Sequence, residues 1–210
     1  MFIVIFEVEP KPDRADEYLK LAQDLRPKVE AIDGFLSVER FARDQRQGRL
    51  LSLSTWRDEG AIVRWRMQAD HRRTQGYGRA RVFRDYRLRV GEIVERNSAD
   101  LRAPGNDGAV TITELMLDPA AIGSTAASSE RMFDPATDGL IDQESFASLY
   151  TPGKIVHVAS WREAAAARAS EPRSHAGLVR HLEVRVVRDY GMFERAEAPQ
   201  SDPAREPARA

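Results

Sequence analysis

The chain opens on an apolar run, Phe2-Ile-Val-Ile-Phe-Glu-Val8, whose β-branched and aromatic residues suit a buried strand. Pro10-Lys-Pro12-Asp13 ends it. From Arg14 to Ile32, Tyr18, Leu19, Leu21, Ala22, Leu25 and Val29 recur at helical spacing. Asp13 is the expected N-cap and Pro27 predicts a kink. Asp33-Gly34 is a turn signal before a second strand, Phe35 to Arg43, and Gln47-Gly48 turns into a third, Arg49 to Trp56. Asp58 to Met67 has helical composition, and Val82 to Val94 supplies a fourth strand. This order of strand, helix, strand, strand, helix, strand is the ferredoxin-like split arrangement. Alternation along the third strand sets Leu50, Ser52, Ser54 and Trp56 against Leu51, Leu53 and Thr55, so both faces of the sheet carry apolar residues and both need covering.

Half a chain later the pattern recurs. Gly34 to Ala42, Gly48 to Arg57, His71 and Arg81 to Tyr86 align with Gly139 to Ala147, Gly153 to Arg162, His175 and Arg185 to Tyr190. A repeat of this length is a duplicated domain rather than a solenoid unit. The second copy follows the same order from Val110 to Phe193, with a short or broken first helix expected in the Gly-, Ser- and Thr-rich stretch Asp118 to Asp138. The boundaries are a first domain at 1–96, a turn-rich linker at 97–108, a divergent second domain at 109–195, and a tail at 196–210 whose composition predicts disorder. The fold class is α+β: two ferredoxin-like domains whose four-stranded antiparallel sheets pack bare face to bare face, helices outward, as one intramolecular barrel. The linker holds the second sheet at an effective concentration of roughly millimolar, which makes the pair a pseudo-dimer within one chain. Further homo-oligomerisation stays open.

Composition narrows the chemistry. With 32 basic and 33 acidic residues there is no net field to draw the chain to nucleic acid or acidic lipid. The absence of cysteine excludes disulfides, iron–sulfur clusters, thiolate zinc sites and a cysteine nucleophile. The apolar start lacks a basic leader and is too short to span a bilayer, so a soluble cytoplasmic protein is expected. No phosphate loop, serine elbow or dinucleotide fingerprint is present, and the four histidines lack metal-ligand spacing.

Phe6-Glu7-Val8 followed by an acidic amphipathic helix, Gly34-Phe35-x-Ser37-x-Glu39-Arg40-Phe41, Leu53-Ser54-x-Trp56-Arg57 and Val82-Phe83-x-Asp85-Tyr86 resemble the antibiotic biosynthesis monooxygenase domains of the dimeric α+β barrel superfamily. The resemblance spans Phe2 to about Val94 and is weaker in the second copy. It implies the barrel described above, with a small-molecule pocket between a sheet and its helices or inside the barrel. Its members include cofactor-free quinone-forming oxygenases and heme-degrading oxygenases. The implied activity is a monooxygenase acting on a small aromatic or carbonyl-bearing molecule without a tightly held cofactor. The rival readings are a non-catalytic small-molecule or stress-response binding protein, and a heme-binding protein.

Candidate residues recur in both copies. Glu7 in the first strand, with Glu114 as its counterpart, and His71, with His175, are candidate bases, because burial and pairing move such groups toward neutrality. Trp56 and Trp161 end the third strands, where an indole N–H can orient an oxygen atom, although helix–sheet packing is the favoured explanation for both. Tyr86 joins the candidate lining, with an ordinary strand role as its alternative. His157 stands only in the second copy, on the face of Trp161. For heme, the resemblance implies a Trp in the second helix and an axial His nearly three turns later. Trp65 matches the first, but the count reaches Gln75, with His71 a turn too early.

Overall fold

The computed structural model describes residues 1–43, 48–94, 108–118 and 131–198. Strands β1 (Phe2–Pro10), β2 (Phe35–Ala42), β3 (Leu50–Trp56) and β4 (Phe83–Val94) form the first half. The second half holds β5 (Ala109–Met116), β6 (Leu140–Ser148), β7 (Lys154–Trp161) and β8 (Leu178–Gly191). The eight close into an antiparallel barrel in the order β1-β3-β2-β6-β7-β5-β8-β4. The strand order within each half is that of the split arrangement read from the sequence. The halves meet along a short β2–β6 seam, Phe41 opposite Ser148 and Ala42 opposite Ala147, and along a long β4–β8 seam from Arg87 to Val94.

Alternation decides what faces inward. Ile3, Ile5, Phe41, Leu51 and Leu53 from the first half meet Val110, Ile112, Phe146, Val156, Val158, Val184 and Val186 from the second in one buried cluster. The bare faces thus cover each other. Polar inward positions gather at the two barrel ends. At one, Lys154 bridges Glu39 at 2.5 Å and Glu114 at 3.4 Å. At the other, Arg43 at 2.8 Å and Arg49 hold Glu144, and Glu7 lies near enough to help raise the Glu144 pKa, which burial raises most. The β1–β3 and β5–β7 registers make Glu7 and Glu114 equivalent, each five residues beyond the residue opposite a tryptophan. Their recurrence therefore has a structural cause: each closes a barrel end with charge.

The helices lie outside. The run expected from Arg14 to Ile32 splits at Leu25 into α1 (Ala15–Asp24) and α2 (Arg26–Glu30), with Pro27 in the first turn of α2. Asp13 is not the N-cap: it sits at φ +60°, and Arg14 caps α1 without a side-chain bond. Asp58 caps α3 (Glu59–Met67) by accepting from the Ala61 N–H at 2.8 Å. A helix not anticipated follows, α4 (Ala69–Tyr77), and then a π-helical turn at Gly78–Val82. Among its described residues the second half has only α5 (Ala164–Ala169). Its weak first helix was expected at Asp118 to Asp138, and 119–130 lie outside the described residues. Residues 131–139 form turns instead of helix, and there Met132 and Phe133 are buried against Trp161. Most of the expected linker, 97–107, and the tail beyond Ala198 also lie outside the described residues; Ala198 itself is buried against Phe83, Tyr86 and Tyr190.

The turns before the second strands carry the duplication in backbone form. Gly34 and Gly139 have φ of +91° and +78°, and a Cβ at either would collide with the Cβ of Ala61 or Ala166 on the helix opposite. The final strands do not carry it. Tyr86 stands opposite Val8 in β1, and the equivalent of Val8, Leu115, faces Leu178 in β8. Tyr190 is far beyond that point and pairs with Leu88 in the first half. The match of Arg185–Tyr190 with Arg81–Tyr86 is therefore a resemblance of strand composition, corrected by register.

At the long seam, a Cβ on Gly91 would strike Val184 Cγ1 and come within 2.8 Å of the Arg185 carbonyl oxygen. Gly91→Ala is expected to destabilise the barrel by about 1–3 kcal/mol, the usual cost of overpacking. Urea denaturation of the purified variant checks this, and an unchanged midpoint would show that the seam is loose.

Candidate active site

Between the first-half sheet and its helices lies a cavity of about 190 Å³. Its walls are mostly apolar: Val4, Phe6, Leu88 and Val90 from the sheet, Leu21 and Leu25 from α1, Val29 from α2, and Ile62 and Val63 from α3. Polar groups come from several elements: Arg40, Ser52 and Ser54 from the sheet, Tyr18 from α1, Glu59 and Arg66 from α3, His71, Thr74 and Gln75 from α4, and Arg79 from the turn after it. A mainly apolar chamber with a handful of convergent polar groups has the make-up of a small-molecule site. In the second half Met132 and Phe133 pack into the corresponding layer. Phe133 sits edge-on to Trp161 at 4.8 Å, and Gln143 fixes it by accepting from its N–H at 3.1 Å and donating to its carbonyl at 2.8 Å.

His71 is placed by α4. Its backbone N–H caps that helix through Gln68 Oε1 at 2.7 Å, while its ring turns inward and stacks on Trp65 with centroids 4.0 Å apart and planes 12° from parallel. Nδ1 lies 2.9 Å from the Trp65 carbonyl oxygen, which fixes the tautomer: Nδ1 carries the proton and Nε2 keeps its lone pair. Burial lowers the pKa to about 4; the Trp65 carbonyl opposes this, and Arg66 adds to it. The imidazole is therefore neutral at physiological pH and able to accept a proton. Its neighbour Asp70 is turned outward to Lys28 and Arg73, so it does not charge the ring.

The second half reaches over to close this cavity. Beyond the seam, β8 carries Arg188 and Tyr190 into its wall. Arg188 pairs with Glu59 at 2.6 Å, Arg66 donates to the Tyr190 hydroxyl at 3.3 Å, and Arg195 donates to the Tyr86 hydroxyl. Burial raises the pKa values of Tyr18 and Tyr190, so both stay protonated phenols at neutral pH.

The candidates from sequence divide accordingly. Trp56, Trp65, His71 and Tyr86 line the cavity. Trp56 does so as a wall, because its N–H already donates to Ser54 Oγ at 2.9 Å. Glu7 points the other way, into the barrel, because β1 alternates Val4, Phe6 and Val8 against Ile3, Ile5 and Glu7. There it accepts from Arg89 at 2.6 Å, and Arg89 also donates to Ser160 Oγ at 2.8 Å across the barrel. The candidates in the second copy lie in the other half. Trp161 is fully buried and donates to Thr111 Oγ1 at 2.9 Å, and His157 Nδ1 is 2.6 Å from Ser145 Oγ. His175 lies in the loop before β8, where it accepts the Gly177 N–H at 3.0 Å. Sequence reasoning did not single out Tyr18, Arg40, Gln75, Arg188 or Tyr190. Arg40 was within reach, since alternation places it on the face of Ser52 and Trp56.

The profile of the antibiotic biosynthesis monooxygenase family matches residues 1–77. The chain is 36% identical over 219 residues to a protein of Pyricularia oryzae named jasmonate monooxygenase ABM, covering 97% of this chain and 99% of that one. Among solved structures, an antibiotic biosynthesis monooxygenase is 21% identical with a TM-score of 0.41, covering 45% of this chain and 100% of its own. An anthrone oxidase-like protein is 14% identical with a TM-score of 0.38, covering 95% and 96%.

Two measurements follow from this layering. Glu7→Ala leaves the buried Arg89 guanidinium without its carboxylate and is expected to cost about 3 kcal/mol in chemical denaturation, while ligand binding to the cavity changes little. Burial also depresses the His157 pKa to about 4. With His71 and His157 both near 4 folded and near 6.5 unfolded, the unfolded chain binds more protons between those values. Their contribution to stability is thus complete above pH 6.5 and declines as pH falls to about 4, by about 1.4 kcal/mol per unit of depression. The melting temperature should fall through that window, and less steeply in His157→Gln.

Proposed function

Because this chain belongs to the antibiotic biosynthesis monooxygenase family, we propose that the first-half cavity is the active site of a monooxygenase acting on a small, largely apolar molecule with a carbonyl or phenol group, without a tightly held cofactor. The observation that carries the reading is a neutral imidazole with a fixed tautomer at the wall of a largely apolar chamber. The name of the Pyricularia oryzae relative, a jasmonate monooxygenase, supports a ketone-bearing substrate.

His71 Nε2 takes a proton from a carbon or hydroxyl made acidic by the adjacent carbonyl or ring. The burial that depresses its pKa also strengthens the attraction between the imidazolium and the new substrate anion, since few waters screen them. That anion is electron-rich enough to reduce dioxygen directly. At an activated methylene, CH₂ and O₂ become C=O and H₂O: one oxygen atom enters the product, the other leaves as water, and the substrate supplies all four electrons. The protonated Tyr18 and Tyr190 can donate hydrogen bonds to the carbonyl oxygen as charge develops on it. Trp65, stacked on His71, keeps the imidazole from turning.

Heme fits these residues poorly. A tetrapyrrole needs far more room than about 190 Å³.

Oxygen uptake with jasmonate and with a panel of anthrones and hydroquinones tests the reading. His71→Ala and His71→Gln should each lower kcat by about 10²-fold or more. In wild type the rate should stay level above neutrality and drop as pH falls toward 4, where His71 becomes protonated. Uptake by none of these compounds would favour a non-catalytic binding protein.

A further inference from the structure

On the side of the cavity formed by β2, Arg40 lies opposite Ser52 in the register with β3 and lines the same chamber. Its Nη1 donates to the Tyr150 hydroxyl at 3.2 Å, and its guanidinium lies within hydrogen-bonding reach of the Tyr18 hydroxyl. Its Nε–H is shielded from solvent and has no hydrogen-bond partner. Among the described residues no carboxylate pairs with this guanidinium. Of the other cations lining the chamber, Arg188 is neutralised by Glu59 and Arg66 donates to the Tyr190 hydroxyl, while Arg79 has no shielded, unpartnered donor like the Arg40 Nε–H.

A shielded donor with no partner costs about 1–3 kcal/mol, and more on a charged group, so a fold keeps one where something else supplies the acceptor. The acceptor that suits the Nε edge of a guanidinium is a carboxylate, which takes two parallel hydrogen bonds from it. The duplication sharpens the point. In the second half the positions of Arg40 and Ser52 are held by Ser145 and His157, which bond each other. The half with the chamber has the cation; the other half has none at that position.

We propose that Arg40 is the carboxylate anchor of this site, and that its ligand is a small apolar molecule carrying a carboxylate at one end. This rests on the cavity being the binding site proposed above. In the sheet order β2-β3-β1-β4-β8, Arg40 stands at one margin and Tyr190 at the other. His71 lies close enough to Arg66, itself bonded to Tyr190, to feel its charge. A carboxylate on Arg40 thus lays the apolar body across Phe6 and Leu88 toward His71. The fixed negative charge of the ligand is then kept away from the carbon that becomes an anion.

The test is binding, followed by quenching of the cavity tryptophans Trp56 and Trp65. The probes are jasmonate and dodecanoate, each against its methyl ester. Wild type should bind each acid about 10- to 100-fold more tightly than its ester, the range for a hydrogen-bonded charge. Arg40→Met should erase that preference and leave ester affinity within about threefold, while Arg40→Lys keeps part of it; circular dichroism confirms that the variants fold. Arg66→Met and Arg79→Met should retain the preference. If wild type shows no acid preference, or Arg40→Met keeps it, or it is lost at Arg66 or Arg79 instead, the proposal is overturned. The outcome is separable from catalysis: acid-selective binding lost in Arg40→Met, without oxygen uptake, would support the anchor and remove the monooxygenase reading.

Discussion

The structure depends on the burial of two apolar sheet faces against each other. Each half is an open antiparallel sheet with helices on one side only, and such a sheet cannot stand alone in water with Ile3, Ile5, Leu51 and Leu53 exposed on the other. A second copy of the same sheet supplies the cover. The connection within one chain makes that cover intramolecular, so closure does not depend on protein concentration. Once Ile and Val fill the middle of the barrel, polar inward residues can survive only at its ends, in pairs. The Lys154 bridge at one end and the Glu144 cluster at the other are the result. Glu7 belongs to this order, and its partner Arg89 is almost wholly buried.

Closure also frees the halves to diverge. The barrel needs both sheets, but it needs neither helical layer to be complete. The first half keeps α1, α3 and α4 and leaves a chamber beneath them; in the second, the turns at 131–139 drive Met132 and Phe133 into the corresponding space. The elongated β8 then crosses the seam and lends Arg188 and Tyr190 to the chamber of the first half. The chamber of the first half is thus walled by both copies.

Within that chamber the polar groups are tuned by where they sit. Desolvation keeps His71 neutral and Tyr18 and Tyr190 protonated, so an acceptor and two donors face an apolar ligand without a net charge among them. The stack on Trp65 and the bond to its carbonyl hold the imidazole in one orientation. Arg40 stands apart as a charge with an unanswered donor.

By itself the sequence determined the strands, the duplication and the barrel, because these follow from local alternation and from glycines at turns whose left-handed backbone other residues rarely adopt. Alternation also put Trp56 and Arg40 on the helix-facing side. What it could not supply was which polar residue meets which. Glu7 and His71 read alike as buried bases until the pleat sent one into the barrel and α4 carried the other to the chamber. The composition of α4, Ala-Asp-His-Arg-Arg-Thr-Gln-Gly-Tyr, has no apolar stripe and so gave no periodic signal. The Arg-Asp-Tyr of β8 matched that of β4 in letters, yet the hydrogen-bond ladder set it beside the other half. Register and long-range contact are properties of pairs of segments, and only the folded chain brings those pairs together.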